Sequence, residues 1–315
     1  MAVAGVRCSR GYSNDRRAVR GIAADASGRA HHWRTRHRGA PDGRWSGRNR
    51  TIWWRRCDFP AAVNRDGLIL AATRATHLSR NWEDSVNWKS ALAEFVGTFG
   101  FVAIGAGAVA ADAYSRGGLG IVGIAIAHGL ALGIMISAFG AISGGHLNPA
   151  VSIALAVAGR IGWLQAAAHV VAQVAGGIVA GLLLRLVYAQ VFPEAVVVAH
   201  LGAPALAREV SFGTGVLIEA VMTFFLVTVV FGTAVDHRAP RSIAGFGIGL
   251  IVCADILMGG FLTGAAMNPA RAIGPAFAAE FWDNQLVYWA GPIAGGIVAA
   301  LLYEYVFAEK EPVAA

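Results

Sequence analysis

A chain of 315 residues that is 56% apolar and only 14% charged, with a mean hydropathy of +0.54, is too apolar for a soluble globular domain and implies several membrane spans. Its net charge of +7 is unevenly spread: residues 1–90 carry +11 and residues 91–315 carry −4, so the basic character belongs to the leading segment. The three scattered cysteines, Cys8, Cys57 and Cys253, imply neither a disulfide framework nor a metal-ligand spacing, and no metal or cofactor is expected.

Residues 1–85 read as a basic extension. Runs such as Arg34-Thr35-Arg36-His37-Arg38 and Trp53-Trp54-Arg55-Arg56 show neither helical nor strand periodicity. No apolar signal-peptide core follows Met1, so cleavage for secretion is not expected. A basic, Trp-bearing stretch suits an anionic lipid surface or a nucleic acid. Composition alone builds no site, so a disordered extension is the preferred reading and no nucleic-acid partner is expected.

From Ala91 the character changes. Apolar stretches at about 91–111, 118–140, 162–187, 210–234, 241–261 and 284–307 each approach the ~20 residues a bilayer requires. Glycines four apart, Gly129/Gly133, Gly177/Gly181 and Gly245/Gly249, would let helix backbones approach closely in lipid. Two further apolar segments, 149–158 and 269–279, are too short to cross and suit re-entrant half-helices. Each opens on the same tripeptide, Asn148-Pro149-Ala150 or Asn268-Pro269-Ala270, after a turn-forming stretch. Asn caps free helix amides and Pro at the first helical position loses no hydrogen bond, so each tripeptide is a helix start.

The halves repeat. Ala175-Gly176-Gly177-Ile178-Val179-Ala180-Gly181-Leu182-Leu183 returns as Ala294-Gly295-Gly296-Ile297-Val298-Ala299-Ala300-Leu301-Leu302, and Glu94 is matched by Glu219. With three spans per copy, the second copy must be inverted relative to the first. The expected fold class is therefore an all-α membrane protein. It has six transmembrane helices plus two half-helices within residues 86–310, as repeats over about 90–188 and 210–307. Lys89, Arg160, Arg238, Arg241 and Lys310 fall on one side, Arg116 and Arg208 on the other, which places both termini in the cytoplasm and suggests a cell (inner or plasma) membrane.

Non-helical backbone at membrane depth is tolerated where protein buries it or it lines water. The turns before the tripeptides would expose a ladder of carbonyls from Gly144, Gly145 and His146 and from Gly264 and Ala266. At the junction, Asn148 and Asn268 would offer amides to one oxygen, with the positive ends of two helix dipoles aimed at the same place. A water held there is oriented, its proton relay is broken and cations are repelled. Arg271, directly after the second tripeptide, is a charge at membrane depth, suited to donating to a solute and excluding cations. Glu94 and Glu219 are expected to accept amides freed by the turns. Asp255, matched by Met135 in the first half, has no role from sequence, and Cys253 reads as packing.

These residues resemble the aquaporins, the major intrinsic protein family, over about residues 90–308. The likeness rests on Ser143-Gly144-Gly145-His146-Leu147-Asn148-Pro149-Ala150-Val151, on Met267-Asn268-Pro269-Ala270-Arg271 and on Ala93-Glu94-Phe95-Val96-Gly97-Thr98. It implies a right-handed bundle, one pore per subunit and a homotetramer. It also implies a selectivity filter at His128, Ile256, Ala265 and Arg271. His first and Ile second is similar to the plant tonoplast intrinsic proteins, a less polar and wider constriction than that of strict water channels. Ala272 and Ala276 depart from the Asp and basic residue typical of glycerol facilitators, and Tyr288-Trp289 resembles the water-channel branch.

The expected function is passive flow of water, with ammonia, hydrogen peroxide and urea as candidate further solutes, and no catalysis. The alternatives are a glycerol facilitator and a coupled secondary transporter. The latter would need a titratable or ion-binding centre where the neutral Asn pair sits.

Overall fold

A computed structural model describes residues 20–24, 30–34 and 86–309. These fall into two units, Met1–Ala62 and Val63–Ala315. In the first, β1 (Arg20–Ala24) pairs antiparallel with β2 (Ala30–Arg34), with Ile22 opposite His32 and Gly21 opposite Trp33. This departs from the aperiodic reading of the leading segment. Five residues are too few for alternation to register, while Ile22 and Trp33 both favour extended backbone. Residues 36–38 and 53–56, with Cys8 and Cys57, lie outside the described residues.

The second unit is helical throughout its described residues. In chain order it contains α1 (Trp88–Tyr114), α2 (Gly120–Ser143), α3 (Pro149–Val157), α4 (Trp163–Val191) and a single turn, α5 (Glu194–Val197). There follow α6 (Phe212–Val230), α7 (Ala244–Thr263), α8 (Pro269–Ala279) and α9 (Val287–Leu302). Counting the short turns that extend α6, α7 and α9, six helices of 21–29 residues are long and apolar enough to cross a bilayer. The chain is a multi-pass integral membrane protein. α1 starts three residues before the apolar stretch suggested because the Asn87 side chain accepts from the amides of Lys89 and Ser90.

α3 has nine residues and α8 eleven, so at ~1.5 Å per residue each reaches only about half of a ~30 Å hydrocarbon layer. Both begin at an Asn–Pro pair, as expected from the tripeptides. Their packing crosses between the halves. α8 lies against α4 of the first repeat and α3 against α9 of the second, while α1 with α4 mirrors α6 with α9.

The glycine pairs explain how the backbones come so close. A methyl group on Gly129 or Gly133 of α2 would overlap the carbonyls of Gly249 or Gly245 on α7, and one on Gly177 or Gly181 of α4 would overlap those of Ala270 or Gly274 on α8. Cys253 sits at the first of these crossings, where its thiol donates to the Ala125 carbonyl at 3.2 Å.

At one end of the bundle the residues that follow α9 are clamped. Arg160, after α3, forks onto Glu304 at 2.8 and 2.9 Å. Arg238 binds the Asp236 carboxylate and the Phe307 carbonyl. The guanidinium holds the Asp236 carboxyl well below its usual range. That pair therefore stabilises the fold above the ordinary carboxylate pKa of ~4 and is lost only as pH falls well beneath it.

Gly249→Val places a branched side chain where only backbone fits. Overpacking of this kind costs about 1–3 kcal/mol, which should lower the melting temperature in detergent by on the order of 5 °C. Intrinsic fluorescence during a thermal ramp reads the change.

Candidate functional site

Each re-entrant turn is built in the same way. α2 ends in left-handed Gly144 and α7 in left-handed Gly264, with φ of 89° and 79°. The residue before each Asn is also left-handed, Leu147 at φ 48° and Met267 at φ 52°. Such backbone costs on the order of 1–3 kcal/mol per residue and persists only where its surroundings over-determine it. Here the determinant is a buried carboxylate. Glu94 accepts from the Ser143 hydroxyl at 2.6 Å, the His146 amide at 2.9 Å and the Leu147 amide at 2.6 Å. Glu219 repeats the pattern with Thr263, Ala266 and Met267 at 2.7, 2.9 and 2.7 Å.

The two turns deliver Asn148 and Asn268 to one place. Each Oδ1 caps its own half-helix, accepting from Ala150 or Ala270. Each Nδ2 donates across the junction, Asn148 to the Met267 carbonyl at 2.9 Å and Asn268 to the Leu147 carbonyl at 2.8 Å. A carboxamide nitrogen has two hydrogens, so one on each Asn remains for the lumen. Sequence reasoning foresaw two converging amides but not this crossed tie, because the acceptors are backbone oxygens with no residue signature.

Two cavities meet at Asn148. The wider one, about 300 Å³, is lined by Gly144, Gly145, His146, Asn148 and Arg160, facing an apolar wall that includes Leu132, Ile136 and Val230. Beyond it the passage narrows to about 10 Å³, lined by His128, Asn148, Ile256, Ala265, Ala266 and Asn268 with Phe101, Leu132 and Leu226. That is room for roughly one water molecule.

The structure thus gathers three of the four expected filter residues, His128, Ile256 and Ala265, around one constriction. Arg271 is buried beside it, its Nη1 donating to the Gly202 carbonyl at 2.7 Å. The Nε of Arg271 and the Nε2 of His128 are buried with no partner among the described residues. His128 holds its other nitrogen on the Ile124 carbonyl at 2.9 Å. Buried polar atoms left without a partner call for one that the protein does not supply.

Of the expected ladder, Gly144, Gly145 and His146 line the wider cavity and Ala266 the narrow one; Gly264 lines neither and packs on Pro204. Among the described residues, Asp255 Oδ2 has no partner, one residue from Ile256. Three features escaped the sequence reading. The first is the left-handed turn His200–Leu201–Gly202 that supplies the acceptor for Arg271. The second is the Tyr288 hydroxyl, which donates to the Thr263 carbonyl at 2.9 Å. The third is a polar network behind Glu94. Gln173 donates to Glu94 and to Ser152, and His169 bridges His146 and Ser90. His169 and Gln173, four residues apart on one face of an apolar span, were its only sequence signal.

Six membrane-length helices enclosing two opposed half-helices, with a narrow polar passage at their meeting point, define a membrane channel built from an inverted repeat. The family model described as "Major intrinsic protein" matches residues 81–303. The chain is 44% identical over 246 residues to "Probable aquaporin TIP3-2" of Arabidopsis thaliana, an alignment covering 74% of this chain and 86% of that one. It is 42% identical over 229 residues to "Aquaporin TIP4-4" of Zea mays, covering 70% and 86%. Among solved structures, an aquaglyceroporin from Plasmodium falciparum superposes with a TM-score of 0.62 at 23% identity, over 69% of this chain and 96% of that one. This chain belongs to the major intrinsic protein family, and its relatives are aquaporins of the TIP type.

Glu219→Gln replaces one carboxylate oxygen with a donor facing the amide of Met267 or Ala266. An unsatisfied buried group costs about 1–3 kcal/mol, so the variant should melt earlier and conduct less water per folded molecule. Thermal melting together with flux normalised to folded protein checks it.

Proposed function

We infer that the protein is a passive channel for water, with ammonia, hydrogen peroxide and urea as further solutes of the same pore. The observation that carries this reading is the crossed Asn pair lining a passage with room for about one water, at the meeting of two helix N-termini. A solute in that passage meets two carboxamide donors on one side and apolar Leu132, Leu226 and Ile256 on the other. It must orient its acceptor toward the Asn pair, which interrupts a proton relay. A cation meets the positive ends of two dipoles after losing its hydration.

His128, Ile256, Ala265 and Arg271 serve as the selectivity filter. Ile256 and Ala265 leave the constriction without polar groups on two sides, which favours small, weakly polar solutes alongside water. Arg271, braced by Gly202, supplies the donor and the repelling charge. Neutral Asn at the junction favours a channel over coupled transport. The likeness to an aquaglyceroporin is one of fold alone and lends the glycerol reading no weight.

Four further assignments belong to this reading. The pore is one per subunit of a homotetramer. Residues 86–310 form the channel domain behind a basic extension at 1–85. Both termini face the cytoplasm, on the side of Arg160 and the clamped residues after α9. Water and small neutral solutes are handled without catalysis. The TIP-type relatives lend no support to the plasma-membrane expectation.

Stopped-flow light scattering on proteoliposomes tests the reading: water should move fastest, urea measurably and glycerol least. Water flux no faster than in empty vesicles would overturn it. Arg271→Ala should raise urea or proton leakage while retaining water flow, and a pH-sensitive dye inside the vesicles reads the proton arm. Asn148→Asp should admit cations, because a carboxylate at the junction offsets the dipoles.

A further inference from the structure

The two re-entrant turns are braced by different chemistry on their outer flank. The repeat that aligns Ala175 with Ala294 also aligns His169 with Tyr288. In the second half the Tyr288 hydroxyl donates to the Thr263 carbonyl, a link with no titration near neutral pH. In the first half the same position carries an imidazole. His169 Nδ1 lies 3.3 Å from His146 Nδ1, with the rings edge to face at 4.9 Å, and its Nε2 meets the Ser90 hydroxyl at 2.8 Å. His146 Nδ1 also meets the Ser152 hydroxyl at 3.0 Å, and His146 lines the wider cavity of the pore. The groups facing the pair are Ser90 and Glu94 from α1, Ser152 from α3, Gln173 from α4 and, across the cavity, Arg160.

We propose that His169 is a positioning residue for the pore wall, holding His146 through a contact with room for one proton and making water flow fall when the pair takes up a single, shared charge. The proton count follows from the inventory. Two neutral imidazoles hold two protons; one bridges the facing Nδ1 atoms and the other sits on an outer Nε2. One added proton fills the remaining Nε2 and leaves the bridge intact. A further proton would set two N–H donors against each other at 3.3 Å, which the packing forbids.

In the singly charged state the Nε2 of His146 is a fixed donor on a cation. Charge-assisted hydrogen bonds are roughly twice as strong as neutral ones, so passing water is held longer at this wall. The Glu94 carboxylate, already bonded to the His146 and Leu147 amides, stabilises the added charge without moving. This inference deepens the channel reading and rests on it for its effect on flow.

Water permeability of proteoliposomes holding the full chain is measured between about pH 8 and about pH 5, beside nitrogen-15 spectra of labelled histidines in detergent. The wild type should lose about half or more of its permeability on acidification, since a stronger bond to passing water lengthens its stay at this wall. The paired imidazoles should take up one proton between them. His169→Tyr, which copies the counterpart Tyr288, should flatten the permeability profile and remove the paired signals. His169→Gln should do the same and serves if the tyrosine does not fold. A flat wild-type profile, two independent titrations, or an unchanged pH step in both variants would overturn the proposal. Absent flux at every pH would count against the channel reading itself, and the nitrogen titration would still decide the pair.

Discussion

The structure depends on two carboxylates buried in apolar helices. Glu94 and Glu219 each accept two turn amides and one hydroxyl, and without them the left-handed backbone at Leu147 and Met267 would leave donors unpaired at membrane depth. Everything specific to the pore follows from those turns. They aim the half-helices, bring Asn148 and Asn268 within reach of opposite carbonyls and leave one hydrogen of each for the lumen. A lipid-embedded chain has no water to rescue an orphaned amide, so the acids are structural before they are anything else.

Symmetry supplies the frame, and its failures make the two ends of the passage different. The carboxylates, the left-handed caps and the Asn ties are duplicated almost bond for bond. Arg271 has Val151 as its counterpart, Ile256 and Ala265 line the narrow passage on one side of the junction only, and Ser152 and Gln173 answer to Ala272 and Pro292. A duplicated pore with identical ends would have two filters or none. Here one end is a wide cavity with Gly144, Gly145 and His146 facing an apolar wall, and the other a constriction lined by His128 with Arg271 buried beside it.

Much of this was legible in the sequence, for physical reasons that differ residue by residue. The tripeptides announce helix starts, because Asn and Pro have strong local preferences that survive any tertiary context. Glu94 and Glu219 stand out because an acid in an apolar span demands a partner. The partners themselves were not legible. Backbone carbonyls of Leu147, Met267 and Gly202 carry no side-chain signature, and their role depends on φ values that the surrounding fold imposes. His169 was passed over because a single imidazole in a long apolar helix resembles ordinary interior packing; only its distance to His146, 23 residues away in sequence, gives it meaning.

The exchange of half-helices between repeats bears on how such a chain is made. α3 rests on α9, which is made after the whole of the first repeat, while α8 rests on α4. The first repeat therefore enters the bilayer with its short helix lacking the surface it will eventually lean on. Each short helix thus finds its full packing surface only once both repeats are in the membrane.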